Sequence, residues 1–272
     1  MAHSLKVDQK YEEIGLVKLR EIASRPKFWG WVEAEGYLMY QAGNDDMIAL
    51  RFMSGHTYEP QTRALWRKLC EKAEIAVDVG THSGVFTLDA HLAGAKFVLS
   101  IEPHPINYAR LVMNLRRNNF KCDGVFLGGA SNENAVRNML VKEMLRVHAA
   151  GQVGVESGNG IQIPVRVATL DALLAPSMHA RVSVLKIDAE NLTPAVLDGM
   201  PSILEHRPDL IIECTESGMG AKLRALGYKF WRIWENREIE EVDDLAPHNP
   251  GNNYNGTDEN CRNRFASCKG LP

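Results

Sequence analysis

The stretch VDVGTHSGVF, Val77 to Phe86, reads as the end of a buried strand running into a glycine turn. Just upstream, EIAVDVG is an apolar run without polar alternation, the pattern of a strand covered on both faces. Further runs of this kind follow, namely FVLSIEP, GVFLGGAS, VSVLKIDAE (Val182–Glu190) and DLIIECT (Asp209–Thr215). Helical patterns lie between them. PINYARLVMNLRRNN carries Pro105 at its first turn, and PAVLDGMPSILEH is a helix that Pro201 kinks or splits. Strand–helix alternation implies right-handed crossovers and a mostly parallel sheet. The partly alternating GYKFWRIWENREIEEV predicts antiparallel strands closing one edge.

In such sheets ligands bind at the carboxyl ends of the strands, which is where the glycine turn falls. A dinucleotide fingerprint is G-x-G-x-x-G, whose middle glycine lets the backbone approach a pyrophosphate. Here only Gly80 and Gly84 are present, and His82 stands in the middle place. Asp78, two residues before Gly80, repels phosphate and suits an ammonium group. Glu102 ends the next strand and can accept both hydroxyls of a ribose, a feature that NAD sites share. Asp78 and the missing glycine together favour S-adenosylmethionine, which carries an ammonium and no phosphate. The competing reading is a purely structural turn, but an acid buried beneath a helix start requires a positive partner.

The 272 residues are 45% hydrophobic, enough for a sizeable core, and the formal net charge is −3 with no basic run. Nucleic-acid binding is therefore not expected. No apolar stretch is long enough to span a bilayer, and no signal peptide is evident. The five cysteines are scattered and form no CxxC pair, so a reduced, cytoplasmic setting is expected.

Three units are expected: an N-terminal cap over 1–57, a main domain over 58–246 with an insertion at about 132–160, and a C-terminal tail or lid over 247–272. Within the cap, FWGWVEAEGYLMYQ alternates enough to suggest strands. Tyr58–Ala73 has helical spacing. Within the insertion, VRNMLVKEMLRVHAA reads as partly helical.

The order YEPQTRALWRKL, VDVGTHSGVFT, IEPHPINYARLVMNLRRNN, ATLDALL, VLKIDAENLTPAVLDGM and PDLIIECT resembles the FkbM-type methyltransferases. The resemblance runs from about Tyr58 to about Asn236. It implies the Rossmann-like class I methyltransferase fold, with a seven-stranded mostly parallel sheet and an antiparallel C-terminal edge. It also implies methyl transfer from S-adenosylmethionine, mostly to hydroxyls of sugars, lipids or natural products. By position, Asp78, Gly80, Thr81 and Gly84 would line the cofactor's amino-acid end, and Glu59 would close over it. Glu102 would take the ribose, and Ala130 and Ser131 would lie near the adenine. Asp188 and Glu190 match the family's acidic pair. Two departures stand out: His82 replaces the usual asparagine, and Asn191-Leu192-Thr193 replaces a glycine followed by an acid.

A hydroxyl acceptor needs its proton removed by a carboxylate, a histidine or a bound metal. Asp188 is the first candidate, at the carboxyl end of an apolar strand. Its alternative role is to cap the next helix or hold Lys186. Glu190, His82, His104 and His248 are further candidates. Asp188 with Glu213 on the neighbouring strand would make an oxygen-ligand site for Mg²⁺. Trp231 and Trp234 are read as packing. The expected activity is O-methylation of a small-molecule or glycan hydroxyl. A non-catalytic adenosylmethionine-binding assembly protein and an N-methyltransferase are the alternatives.

Overall fold

The computed structural model describes residues 27–141, 152–154, 160–189, 192–213, 218–246 and 261–272. The chain opens with a hairpin, β1 (Trp29–Ala34) and β2 (Tyr37–Ala42). Its turn residues Glu35 and Gly36 both have positive φ, the requirement of a two-residue turn that matches strand twist. Helices Met47–Met53 and Pro60–Cys70 follow. Next come β3 (Ile75–Val79), helix Val85–Ala93, β4 (Phe97–Glu102), helix Pro105–Arg117 and β5 (Val125–Leu127). The next four strands are β6 (Gly129–Ala130), β7 (Ala135–Val141), β8 (Gln152–Val153) and β9 (Ile161–Ala168). Beyond them lie β10 (Val182–Ile187), β11 (Asp209–Glu213), β12 (Lys229–Arg232), β13 (Glu240–Val242) and β14 (Asn263–Ser267).

Among the described residues the main sheet has eight strands, one more than expected, in the order β13-β12-β14-β11-β10-β3-β4-β5. β5, β4, β3, β10 and β11 run parallel. β14 is antiparallel to both β11 and β12, and β13 is antiparallel to β12. The expected antiparallel edge therefore has a different make-up: β12 follows the main direction, and β14 is inserted between β11 and β12. Asn263–Ser267 is thus a strand of the sheet and not part of a tail or lid, while 247–260 lie outside the described residues.

β3, β4, β10 and β11 are buried on both faces, as their apolar runs imply, whereas the edge strand β5 is half-exposed despite its apolar run. One face packs Val77, Val79, Ile101, Leu185, Ile187 and Ile212 against the helices that follow β9, β10 and β11. The other packs Ala76, Val98, Val184 and Ile211 against Trp66, Phe86, Leu111 and the hairpin. The insertion does not begin as a helix. Ala135–Val141 pairs antiparallel with β9 along its whole length, so a partner distant in sequence overrides local helical spacing. The third strand also splits. At Gly128 a side chain would run into the carbonyl of Arg166, and the chain leaves the main sheet for the small one, β6-β9-β7-β8. Pro201 starts a new helix, separating Thr193–Asp198 from Pro201–Leu204.

Candidate active site

From β3 the chain moves through β4 to β5 on one side, then returns to β10 on the other. Strand order reverses between β3 and β10, so their carboxyl ends form the switch point where ligands of such sheets bind. The glycine turn is there. Gly80 has φ +79, and an added Cβ would lie 1.8 Å from the Asp188 carbonyl oxygen. Gly84 has φ +101 and packs on Leu111. His82 has φ +53, a conformation in which asparagine, aspartate and histidine are enriched, so the histidine suits this backbone position. Thr81 is buried, and its N–H and that of Gly80 both donate to Ile101 O.

Asp78 lies beneath the turn rather than in it. It is fully buried, accepts from Thr87 Oγ1 at 2.7 Å, and faces Ser100 and Lys186 on the strands either side. Burial pushes its pKa up to about 6, opposed by the Lys186 ammonium. The positive partner that a buried acid demands is thus Lys186, two places before Asp188. Lys186 acts on Asp78 through its charge, and Asp78 Oδ1 has no hydrogen-bond partner in the protein.

Glu102 ties the turn to the next strand. Its Oε2 accepts from His82 N and its Oε1 from His104 N, each at 2.8 Å. Burial nevertheless raises its pKa to about 8. His104 is the N-cap of helix Pro105–Arg117, with Nδ1 accepting from the N–H groups of Ile106 and Asn107. Its lone pair is taken and burial lowers its pKa, so the structure makes it a cap and not a base. His82 is half-buried, with Nδ1 3.2 Å from Ser83 Oγ. Ala130 and Ser131 are buried at the start of the small sheet, where Ser131 N donates to Ala168 O.

A second group of charges gathers at the ends of β10 and β11. Lys186, almost fully buried, lies 2.9 Å from Asp188 Oδ2 and 4.3 Å from the centre of the Phe86 ring. Glu213 hydrogen-bonds the Asp188 side chain, and Arg262 adds positive charge from just before β14. Burial would raise the Asp188 carboxyl; Lys186, Glu213 and Arg262 outweigh it and hold the group below the usual range. The Lys186 ammonium is stabilised by Asp188, Glu59 and Asp78 against a desolvation that would lower its pKa.

Glu59 is buried and sits at φ 43, an uncommon conformation for a non-glycine residue, just before helix Pro60–Cys70. Its Oε2 accepts from Asn263 Nδ2 at 2.9 Å, and it hydrogen-bonds the Tyr58 phenol. The start of that helix is capped from a distance by Glu235, which accepts from Gln61 N at 2.8 Å and from Thr62 Oγ1. Tyr58, Lys186, Arg262 and Glu235 were not singled out as site residues from sequence. No local pattern marks Arg262 or Glu235, because their partners Asp188 and Gln61 are distant in sequence.

The expected Mg²⁺ site does not take shape. Asp188 and Glu213 meet, but lysine and arginine supply the positive charge there, and no group of three or more possible ligands occurs among the described residues. Glu190 and His248 lie outside the described residues.

The family model for the methyltransferase FkbM domain matches residues 78–242. The chain belongs to the FkbM methyltransferase family. It is accordingly an S-adenosylmethionine-dependent methyltransferase with a Rossmann-like fold. Solved structures similar to this FkbM protein include M. jannaschii TYW2 in complex with AdoMet, at 13% identity over 88% of this chain and 84% of that one, TM-score 0.42. Another is a precorrin-6y methyltransferase from Geobacter metallireducens, at 10% identity, 76% and 89% coverage, TM-score 0.39. A third is an rRNA methylase from Streptococcus thermophilus, at 12% identity, 76% and 92% coverage, TM-score 0.37. None of them says what the FkbM chain methylates. No curated protein sequence matches it significantly. Among the described residues no helix is long and apolar enough to cross a membrane.

The turn fits the family's cofactor in part. Glu102 keeps carboxylate lone pairs beyond its two backbone bonds, and the buried His104 Nε2 and Asn107 Oδ1 beside it have no protein partner. Such a mixture of donors and acceptors suits hydroxyls and a base. Asp78 is closed to solvent under Thr87, with Oδ2 held by that hydroxyl and Oδ1 without a hydrogen-bond partner in the protein.

Proposed function

We propose that this protein methylates a hydroxyl of a small molecule, sugar or natural product. The observation that carries the reading is the Asp188–Glu213 carboxylate pair at the switch-point ends of β10 and β11, with Asp188 partly exposed and flanked by Lys186 and Arg262. In this reading Glu102 and the turn Gly80–Gly84 hold the ribose end of the cofactor, Ala130 and Ser131 border the adenine, and Glu59 with Tyr58 lies toward the amino-acid end. S-adenosylmethionine, when bound, supplies an electrophilic methyl with a neutral thioether as leaving group.

The chain's own task is to align the acceptor and take its proton. A hydroxyl becomes far more acidic as its oxygen gains a methyl group, so a base with a low pKa suffices. Asp188 is held ionised by Lys186 and can accept that proton. His82, half-buried on the turn, is the alternative. The reading needs no Mg²⁺, because Lys186 and Arg262 already balance the acids. The net charge of −3 without a basic run supports a small or glycan acceptor over RNA.

The test is calorimetric titration with S-adenosylhomocysteine and with NAD, followed by a methyl-release screen against hydroxyl, amine and RNA acceptors. Binding of S-adenosylhomocysteine alone and turnover on a hydroxyl, lost in Asp188→Asn, are expected. Full activity of Asp188→Asn on an amine would replace oxygen with nitrogen as the acceptor atom. Cofactor binding with no turnover on any acceptor would favour a non-catalytic assembly role.

A further inference from the structure

Among the described residues β2 pairs only with β1, so one of its edges has no strand partner there. Helix Pro105–Arg117 and its C-cap cover that edge with side chains. Leu38 N donates to Asn118 Oδ1 at 2.8 Å, and Asn118 Nδ2 returns to Leu38 O at 2.7 Å. Tyr40 N donates to Asn114 Oδ1 at 2.8 Å, and Arg110 Nη1 donates to Tyr40 O at 3.0 Å. The spacings agree: four helical residues rise about 6 Å and two strand residues span about 6.7 Å. The two asparagines therefore imitate a neighbouring strand.

They differ in one respect. The Asn118 amide returns to the hairpin, whereas Asn114 Nδ2 donates to Ser83 O at 2.8 Å, inside the glycine turn. Asn114 is fully buried, so its amide is committed to these two protein partners. Ser83 lies between His82 at φ +53 and Gly84 at φ +101. A backbone in such conformations persists only where its surroundings fix it. Glu102 fixes the His82 N–H, and Asn114 fixes the Ser83 carbonyl. The hairpin makes a second tie at the start of the next helix, where Tyr37 OH donates to Val85 O at 3.3 Å.

We propose that Asn114 is a positioning residue for the cofactor turn: its Oδ1 anchors it to the N-terminal hairpin and its amide holds the Ser83 carbonyl, so that cofactor affinity depends on the Asn114–Ser83 bond. This rests on the reading that the turn Gly80–Gly84 binds the cofactor.

The experiment compares Asn114→Leu with Asn118→Leu in the full chain. It measures S-adenosylhomocysteine affinity by calorimetry, thermal midpoint, and hydrogen exchange at the amides of residues 80–84. Both variants lose bonds to the hairpin, and both lower the midpoint. Only Asn114→Leu weakens S-adenosylhomocysteine binding, by about tenfold, the scale of one hydrogen bond. Only it speeds exchange in the turn. Equal affinities in the two variants, or equal losses, would overturn the proposal. Should leucine prevent folding, Asn114→Ser, too short to bridge both partners, gives the same comparison. If the unaltered protein does not bind S-adenosylhomocysteine, the cofactor reading of the turn fails, and exchange alone decides whether Asn114 braces it.

Discussion

Lys186 Nζ lies 2.9 Å from Asp188 Oδ2, and its register partner on the adjoining strand is the fully buried Asp78. One enclosed ammonium thus serves carboxylates on two strands and sits behind both halves of the candidate site. Removing one member of a buried charge group leaves the others uncompensated. Lys186→Met should cost about 3 kcal/mol of stability, the range for breaking buried pairs. Urea unfolding measures it, and a loss below about 1 kcal/mol would mean that solvent already screens these acids. Adding Asp188→Asn to Lys186→Met should restore part of the loss, giving a coupling energy between the two sites.

Gly80 tests close approach separately from backbone strain. Its added Cβ would sit 1.8 Å from the Asp188 carbonyl oxygen, while Gly55, at φ +74, has nothing within 4 Å of the same position. Gly55→Ala should cost about 1 kcal/mol, the price of a left-handed alanine. Gly80→Ala must also push β3 from the end of β10, and should cost at least twice as much and abolish S-adenosylhomocysteine binding. Equal melting temperatures for the two variants would show that the β3–β10 contact yields freely.

Glu102 sets a pH dependence. Burial lifts its pKa from 4.5 to about 8 despite the His82 and His104 backbone N–H groups. The folded ligand-free protein therefore keeps a proton that the unfolded chain releases between these values. Its contribution to stability falls as pH rises from about 4.5 to about 8. Glu102→Gln has no such proton, so its melting temperature relative to the unaltered protein should rise across that window. A constant difference from pH 5 to 8 would show that the two N–H groups keep Glu102 ionised throughout.

Burial in this protein follows hydropathy in some strands and departs from it in others, and that division decided what the sequence could reveal. β3, β10 and β11 were legible because their apolar runs have no exposed face to alternate with. β14 was not. All five of its residues are buried, yet three are polar and hydrogen-bonded to distant groups: Asn263 to Glu59, Arg264 to Ala246 O and Ser267 to Asp209 Oδ1 at 2.6 Å. Nothing in NRFAS announces partners so remote. The glycine turn shows the same limit at the site. Its existence, and the need of Asp78 for a positive charge, could be read along the chain. That Lys186 meets the need depends on the register of β3 against β10, which no local pattern encodes. β7 was misread because its partner β9 begins twenty residues after it ends.

The position of β14 carries the last prediction. It is the only link between β11 and the β12–β13 pair among the described strands, with Phe265 and Ala266 fully buried. Arg264 reaches Ala246 O at 2.7 Å and Cys261 O at 3.1 Å, so its guanidinium joins the two ends of the connection into β14. Asn263 holds Glu59, and Arg262 faces Asp188, so loss of this strand disturbs the charge cluster as well. A chain ended after residue 246 would expose the edge of β11 and uncover the core on both faces. It should lose cooperative thermal unfolding and bind S-adenosylhomocysteine no better than background. Arg264→Met keeps the strand and removes the link to Ala246, so it should lower the melting temperature while leaving unfolding cooperative. Were the truncated chain to melt cooperatively within a few degrees of the full one, β14 would be an accessory and the other seven strands of the main sheet would suffice for the fold.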